Sequence, residues 1–409
     1  MRPDDDPCGG ARDRPSRRLE AKTLAWPTLL SALAALAAPV VAAELLRFDA
    51  DTTAAILAHG PWPVAVARDA SNRASGRPAA IAFGEVLFHS TRLSTVGGMR
   101  CASCHEPWRA LADGRALGQG AEPVHRNTPS LFNVALNPWF GWDGARDNLW
   151  SQSVRPLLDR REMRASPAHV ATLIREDAEL RQRYVDSFGA APPADDDDAV
   201  LVDVGKALAA FQETLVSART PFDEFRDALQ RGDGAAASAY PPAAQRGAML
   251  FVGRARCATC HAGPTFSDGG FHRSLIASLG ADGGPDEGRA AGVRSLRADS
   301  RNLLGPYNDG AGEPRARIDA TQQAAALADP AAGAFRTPGL REVAATGPYM
   351  HDGSVANLCD ALRPHATTAT GDNAPELALD ERRDLVAFLR SLSAHPEATL
   401  VDAAVYRCR

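Results

Sequence analysis

The sequence predicts a mainly helical protein built from two units related by internal duplication. Three observations carry this. The pentapeptide Cys101-Ala102-Ser103-Cys104-His105 returns as Cys257-Ala258-Thr259-Cys260-His261. Its surroundings repeat too: Leu87-Phe88 and Asp113-Gly114 are echoed by Leu250-Phe251 and Asp268-Gly269. Thr128-Pro129 stands fifteen residues before Asp143-Gly144 as Thr337-Pro338 does before Asp352-Gly353. Matched spacing of this kind marks two copies of one unit. Finally, few segments alternate apolar and polar residues with period two, so little sheet is expected.

A Cys-x-x-Cys-His pentapeptide can bond a haem through two thioethers and supply its histidine to the iron. A zinc half-site would want a second thiolate or histidine pair at short spacing, and none follows either copy. A redox dithiol has no need of the trailing histidine. The two copies therefore predict two covalently bound haems c, held by Cys101, Cys104 and His105 and by Cys257, Cys260 and His261, in two cytochrome c-like haem domains.

Residues 1–43 read as a secretory signal peptide. Arg12, Arg14, Arg17, Arg18 and Lys22 precede an apolar run from Leu24 to Ala43 that ends in the small residues Val41-Ala42-Ala43. At about 20 residues the run would also span a bilayer if left uncleaved, but Pro27, Pro39 and the many alanines favour cleavage. Export to the periplasm agrees with the haem motifs, because attachment of this type takes place outside the cytoplasm in bacteria.

The amino-terminal domain is expected over 44–235 and the carboxyl-terminal one over 236–409, meeting in the Gly- and Ala-rich stretch from Arg231 to Ala244. The first domain should contain a helix from Val200 to Leu215, preceded by a solvated loop from Ala190 to Asp198 with four consecutive aspartates. In the second, the insertion between His272 and Phe335 should form long loops with short helices. Asp380 is placed to cap a closing helix whose Leu385, Val386, Phe388, Leu389 and Leu392 fall largely on one side.

With 409 residues, 45% hydrophobic and 23% charged, the chain is long enough for two cores, and its net charge of −5 disfavours nucleic acid and suits docking of a basic electron carrier. Cys8 lies in the leader. Cys359 and Cys408 are left to pair in an oxidising compartment if their Cα atoms come within about 7 Å.

Two Cys-x-x-Cys-His units, Trp142-Asp143-Gly144 in the first half and Gly347-Pro348-Tyr349-Met350-His351-Asp352-Gly353 in the second resemble the bacterial di-haem cytochrome c peroxidases and their relatives of the MauG type, from about Leu87 to Leu392. The resemblance implies that the haem on His105 is the peroxidatic one. Many family members block its open face with a loop histidine; counting back from Arg126-Asn127-Thr128-Pro129 puts Gln119 at that place, and glutamine is a poor haem ligand. His125 reads as a solvated loop residue. An open or water-ligated iron that needs no reductive activation is expected.

Cleaving peroxide requires a group that moves a proton from one oxygen to the other. The family's distal glutamate follows its tryptophan by twenty residues, as Glu162 follows Trp142; the plainer reading puts Glu162 in an exposed cluster with Asp159, Arg160 and Arg161. The resemblance places Trp142 between the haems as an electron relay, its plainer reading being a core aromatic, while Trp108, Trp139 and Trp150 are assigned to packing.

His261 holds the second haem. Where the family has methionine or tyrosine fourteen residues after the His of His-Asp-Gly, this chain has His365, beside Pro364 in what reads as a loop, with solvent exposure as the alternative. Nitrogen ligation would lower the potential relative to a thioether. Met350 lies on the wrong side of the motif, and His351 reads as structural or propionate-contacting. The resemblance also implies calcium between the domains, bound by the Asn127 side chain and the Thr346 and Pro348 carbonyls.

These readings converge on a periplasmic peroxidase that reduces hydrogen peroxide with electrons from a small cytochrome c or cupredoxin, and the resemblance allows a homodimer. The alternatives are a MauG-type oxidase acting on residues of a partner protein, and a di-haem electron carrier with both irons six-coordinate.

Overall fold

A computed structural model describes residues 45–310 (apart from 275, 277, 281 and 282), 333–368, 376–394 and Cys408. The expected leader, its cleavage site and Cys8 lie outside the described residues. Among the described residues no helix is long and apolar enough to cross a membrane.

The chain is mainly helical, as expected. In order it forms α1 (Ala50–Leu57), α2 (Pro78–His89), α3 (Cys101–Cys104), α4 (Leu149–Leu158), α5 (Pro167–Glu176), α6 (Ala178–Phe188), α7 (Asp197–Gln212), α8 (Pro221–Arg231), α9 (Gly234–Ser238), α10 (Pro242–Val252), α11 (Arg289–Ala298), α12 (Leu358–Thr368) and α13 (Leu379–Arg390). The strands β1 (Phe271–Arg273) and β2 (Ala334–Arg336) pair antiparallel with His272 opposite Phe335, so the expected insertion leaves and rejoins the fold at one ladder rung.

Helix α7 organises the first core. Every residue from Val200 to Ala210 is buried, the pattern of a helix packed on all sides. The exposed loop that charge suggested is present over 190–196, and only its last two aspartates enter the helix. The Asp196 carboxylate accepts the Ala199 N–H as N-cap, and Asp197 and Asp198 lie in the first turn, where they complement the helix dipole. α2 crosses α7 at Gly84, where a Cβ would stand 2.0 Å from the Ala207 carbonyl oxygen. α10 crosses α13 in the same manner at Gly247, whose Cβ would meet the Asp384 oxygen at 2.1 Å. Gly84 and Gly247 hold equal places in the sequence repeat, three residues before Leu87 and Leu250.

The second core gathers Phe222, Phe225, Phe251, Phe266, Phe388 and Leu392, and it also takes Ile56 from α1. Thus α1 and α8, both earlier in sequence than residue 236, pack with the second motif. The closing helix is present with Leu385, Val386, Phe388 and Leu389 buried, but Asp380 is not its cap; the helix begins one residue earlier, and the Glu381 carboxylate accepts the Ala378 N–H. The Arg231–Ala244 stretch is shaped by its breakers: Gly232 ends α8 in the left-handed region and Pro242 starts α10, with the short α9 between them. A disulfide joins Cys359 to Cys408, with Cα atoms 5.3 Å apart.

Inside the second core Arg341 makes a two-pronged ion pair with Asp223, at 3.0 and 2.9 Å, while its guanidinium covers the Trp62 ring at 3.7 Å. Both charged side chains are almost fully buried. Removing one partner strands the other's charge in an apolar setting. Arg341→Leu is expected to cost about 3–5 kcal/mol in equilibrium urea unfolding; a loss under about 1 kcal/mol would show that the pair contributes little.

Candidate functional site

Each Cys-x-x-Cys-His histidine is oriented by a backbone carbonyl. The His105 Nδ1 lies 2.9 Å from the Leu111 oxygen and the His261 Nδ1 3.0 Å from the Phe266 oxygen. An Nδ1–H donated to a carbonyl leaves Nε2 as the coordinating atom, the usual arrangement for a metal-bound imidazole. In both cases the acceptor is an apolar residue in left-handed conformation, with φ 60° at Leu111 and 56° at Phe266, a region L-residues seldom adopt. Both residues stand two places before the aspartate of a repeated Asp-Gly. Those aspartates hold the turns in place, Asp113 by accepting the Thr128 hydroxyl at 2.8 Å and Asp268 by bonding Thr337. Sequence reasoning missed Leu111 and Phe266 as functional residues, although the Asp-Gly register pointed to them.

At the first motif the segment 118–122 is laced to 161–162. The Ala121 N–H donates to the Glu162 carbonyl at 3.1 Å and the Glu122 N–H to the Arg161 carbonyl at 2.9 Å. Gly120 permits this approach, because a Cβ there would stand 2.1 Å from the Arg161 oxygen. The Gln119 carbonyl lies 3.8 Å from the Cys104 sulfur, the atom that stands for a thioether once haem is attached. The fold therefore brings Gln119, Cys104 and Glu162 to one place. The Gln119 side chain is exposed and donates only to the neighbouring Gly120 carbonyl.

Glu162 departs from the exposed-cluster reading. Burial pushes its pKa above the ordinary 4.5, Arg155 opposing and Asp159 adding to the shift, while Arg160 beside it is exposed. Its charge is felt at both Cys101 and Cys104. On α4, between Trp142 and Glu162, the Gln152 side-chain oxygen is buried without a hydrogen-bond partner. No sequence signal marked it.

His125 also differs from expectation. Its Nε2 is buried and unpartnered, and burial followed by Arg161 holds its pKa down, so it is not a solvated loop residue. Trp139 and Trp150 pack in the interior as expected, but Trp108 is 78% exposed. It stands in the 3-10 turn Pro107–Arg109, which leaves it outside the core that was expected to hold it.

The second motif opens on a cavity of about 920 Å³, the size of a cofactor site. Cys257, Cys260, His261, Phe251 and Leu389 line it together with Trp142, Arg336 and Met350. Trp142 is held there by its indole N–H, which donates to the Asn127 carbonyl at 2.9 Å, and by its own carbonyl, which accepts the Arg336 N–H at 2.8 Å. Arg336 is the clearest mark of an anionic occupant. Its guanidinium donates to the oxygens of Asn137, Gly141 and Thr337, none of them charged, and burial draws its pKa down to about 10. A buried cation with neutral partners in a cavity wall fits a haem carboxylate.

Asn127, Thr346 and Pro348 line this cavity too. The Asn127 amide nitrogen donates to the Arg115 and Ala116 carbonyls. His351 is structural, stacked on Phe335 at 3.6 Å and bonded to the Ser278 hydroxyl at 2.7 Å. The main chain of His365 belongs to α12, not to a loop, and its side chain lies outside the described residues.

Comparison with known proteins agrees with this geometry. The family described as di-haem cytochrome c peroxidase matches residues 78–231. The chain is 34% identical to the methylamine utilization protein MauG of Methylorubrum extorquens, over 78% of this chain and 80% of that protein. It is 33% identical to the cytochrome-c peroxidase IdrP1 of Denitromonas iodatirespirans, over 76% and 81%. Among solved structures, a MauG-like protein associated with microbial copper homeostasis superposes with a TM-score of 0.59 at 25% identity, covering 85% of this chain and 97% of the other.

The raised pKa of Glu162 has a consequence for stability. Unfolding releases the carboxyl to its ordinary value, so its burial costs nothing below that value, and the cost grows as pH rises from 4.5 to the higher folded value. Glu162→Gln should therefore unfold at higher urea than the parent at neutral pH, with the gain vanishing in acid below 4.5. A pH-independent difference would contradict the burial of the charge.

Proposed function

The chain belongs to the di-haem cytochrome c peroxidase family of oxidoreductases, and on that premise we propose that it reduces hydrogen peroxide to water in the periplasm with electrons from a small cytochrome c or cupredoxin. The observation that carries this reading is the half-buried Glu162 carboxyl beside the Cys101–His105 motif, with Gln119 where a blocking histidine would otherwise stand.

Cys101, Cys104 and His105 would hold the haem, which would supply the iron that binds and reduces peroxide. Glu162 would accept a proton from one peroxide oxygen and return it to the other, so that, with two electrons from the donor and two further protons, one peroxide yields two waters. A pKa raised by burial suits a group that must both take and give a proton near neutral pH. Gln119, its main chain fixed against Cys104, would offer no imidazole to block that site. Trp142, in the wall of the second cavity and bonded to Asn127 of the first half, serves as the one-electron relay between the two sites.

His261 and His365 are assigned as the two iron ligands of the second haem, Arg336 as the partner of one of its propionates, and Asn127, Thr346 and Pro348 as a calcium site. Residues 1–43 are assigned as the leader. The haem domains are assigned as duplicates over 44–235 and 236–409, with α1 and α8 lending side chains to the second. The paired crossings at Gly84 and Gly247 and the paired acceptors Leu111 and Phe266 support that assignment.

Gln119 favours one second reading, a MauG-type oxidase that also lacks the switching histidine. Steady peroxide consumption with a reduced small cytochrome c separates the two, since the oxidase reading expects little multiple turnover with such a donor. In that assay Glu162→Gln is expected to lower kcat by about 10²–10⁴-fold, with haem content and the KM for the donor unchanged. Activity within about twofold of the parent would remove Glu162 from proton transfer.

A further inference from the structure

Helix α1 precedes both haem motifs in sequence, yet the residue that follows it closely touches the second. His59 is 3% exposed. Its Nδ1 lies 2.9 Å from the Ala55 carbonyl oxygen and its Nε2 lies 3.1 Å from the carbonyl oxygen of His261. The same ring stacks on Phe266, with centroids 4.8 Å apart and planes inclined by 27°. Phe266 is the residue whose carbonyl orients the His261 imidazole. One side chain thus contacts the main chain of the ligand and the ring of the residue that aims it.

We infer that His59 is a positioning residue for the second haem: it clamps His261 and its acceptor Phe266 to α1 and so sets the reduction potential of the iron that His261 holds. The inference rests on the reading of His261 as an iron ligand. The partners behind a ligating histidine fix its orientation and basicity, and hydrogen bonding behind an axial ligand is one of the means by which a protein sets a haem potential. A neutral imidazole carries one N–H for these two carbonyls; in the tautomer with that N–H on Nε2, it turns the positive end of a dipole toward the ligand and favours the reduced iron. A phenylalanine at 59 keeps the stacking and loses both ring nitrogens, and with them any N–H for the His261 carbonyl. A glutamine keeps an N–H for the His261 carbonyl and loses the stacking.

The test is a redox titration of the holoprotein and its His59→Phe and His59→Gln variants, following the two haems separately by absorption and the ferric state by EPR, with haem content measured as pyridine haemochrome. In His59→Phe, the ferric-to-ferrous ratio of the second haem at the parent's midpoint should rise about threefold to tenfold, with an altered low-spin EPR signal. The first haem should not move, and His59→Gln should return the second to within about twofold of the parent. Should His59→Phe fail to accumulate folded, His59→Met carries the same expectation. A loaded second haem indifferent to these substitutions, or two haems that shift together, would overturn the inference alone. A chain with no haem on Cys257 and Cys260 would overturn it together with the reading on which it rests.

Discussion

Two hydrogen bonds set the terms for the chemistry: the Nδ1–H of His105 to the Leu111 carbonyl, and that of His261 to the Phe266 carbonyl. Each requires an apolar residue with positive φ, a strained conformation that persists only when its surroundings hold it. Here those surroundings are the Asp113–Thr128 and Asp268–Thr337 contacts and the core beneath each turn. The repeated Asp-Gly and Thr-Pro pairs of the sequence are therefore the parts that hold a metal-ligand acceptor in place, and they meet in both halves although the insertion separates the second pair far more widely in sequence than the first.

Beyond this shared scaffold the two sites differ. At the first, tight lacing of 118–122 to 161–162 brings a half-buried carboxyl beside the motif. The second opens on a large cavity walled by a buried cation with neutral partners, and it draws α1 and α8 into its core. One site is suited to handling protons and the other to holding an electron carrier rigidly. Trp142 and Asn127, bonded to each other, also tie the first half to the second: the Trp142 carbonyl accepts the Arg336 N–H and the Asn127 N–H donates to the His351 carbonyl.

Much of this was legible in the sequence because it depends on local signals. The two pentapeptides, the long buried helix, the closing helix and the edges of the insertion at His272 and Phe335 all follow from short-range pattern. What could not be read depends on contacts between distant residues. Nothing local says that Ile56 and His59 serve a motif two hundred residues later. The aspartates before α7 lie in a solvated loop as their charge suggests, but that Asp196 caps the helix and that Asp197 and Asp198 belong to its first turn shows only once the helix is present. Trp108 and His125 were each assigned by the usual fate of their residue type, and each departs from it: Trp108 stands exposed in the 3-10 turn after Pro107, and His125 is half-buried with its Nε2 out of solvent. Leu111 and Phe266 look like ordinary core residues because positive φ leaves no mark on a non-glycine side chain.

The central claim is that the iron on His105 keeps an accessible face with Glu162 beside it. EPR and absorption spectra of the ferric holoprotein, taken before and after one equivalent of peroxide, test it most directly. The account predicts one high-spin haem and one low-spin haem at rest, with the high-spin signal consumed by peroxide. Two low-spin haems that peroxide leaves unchanged would contradict it.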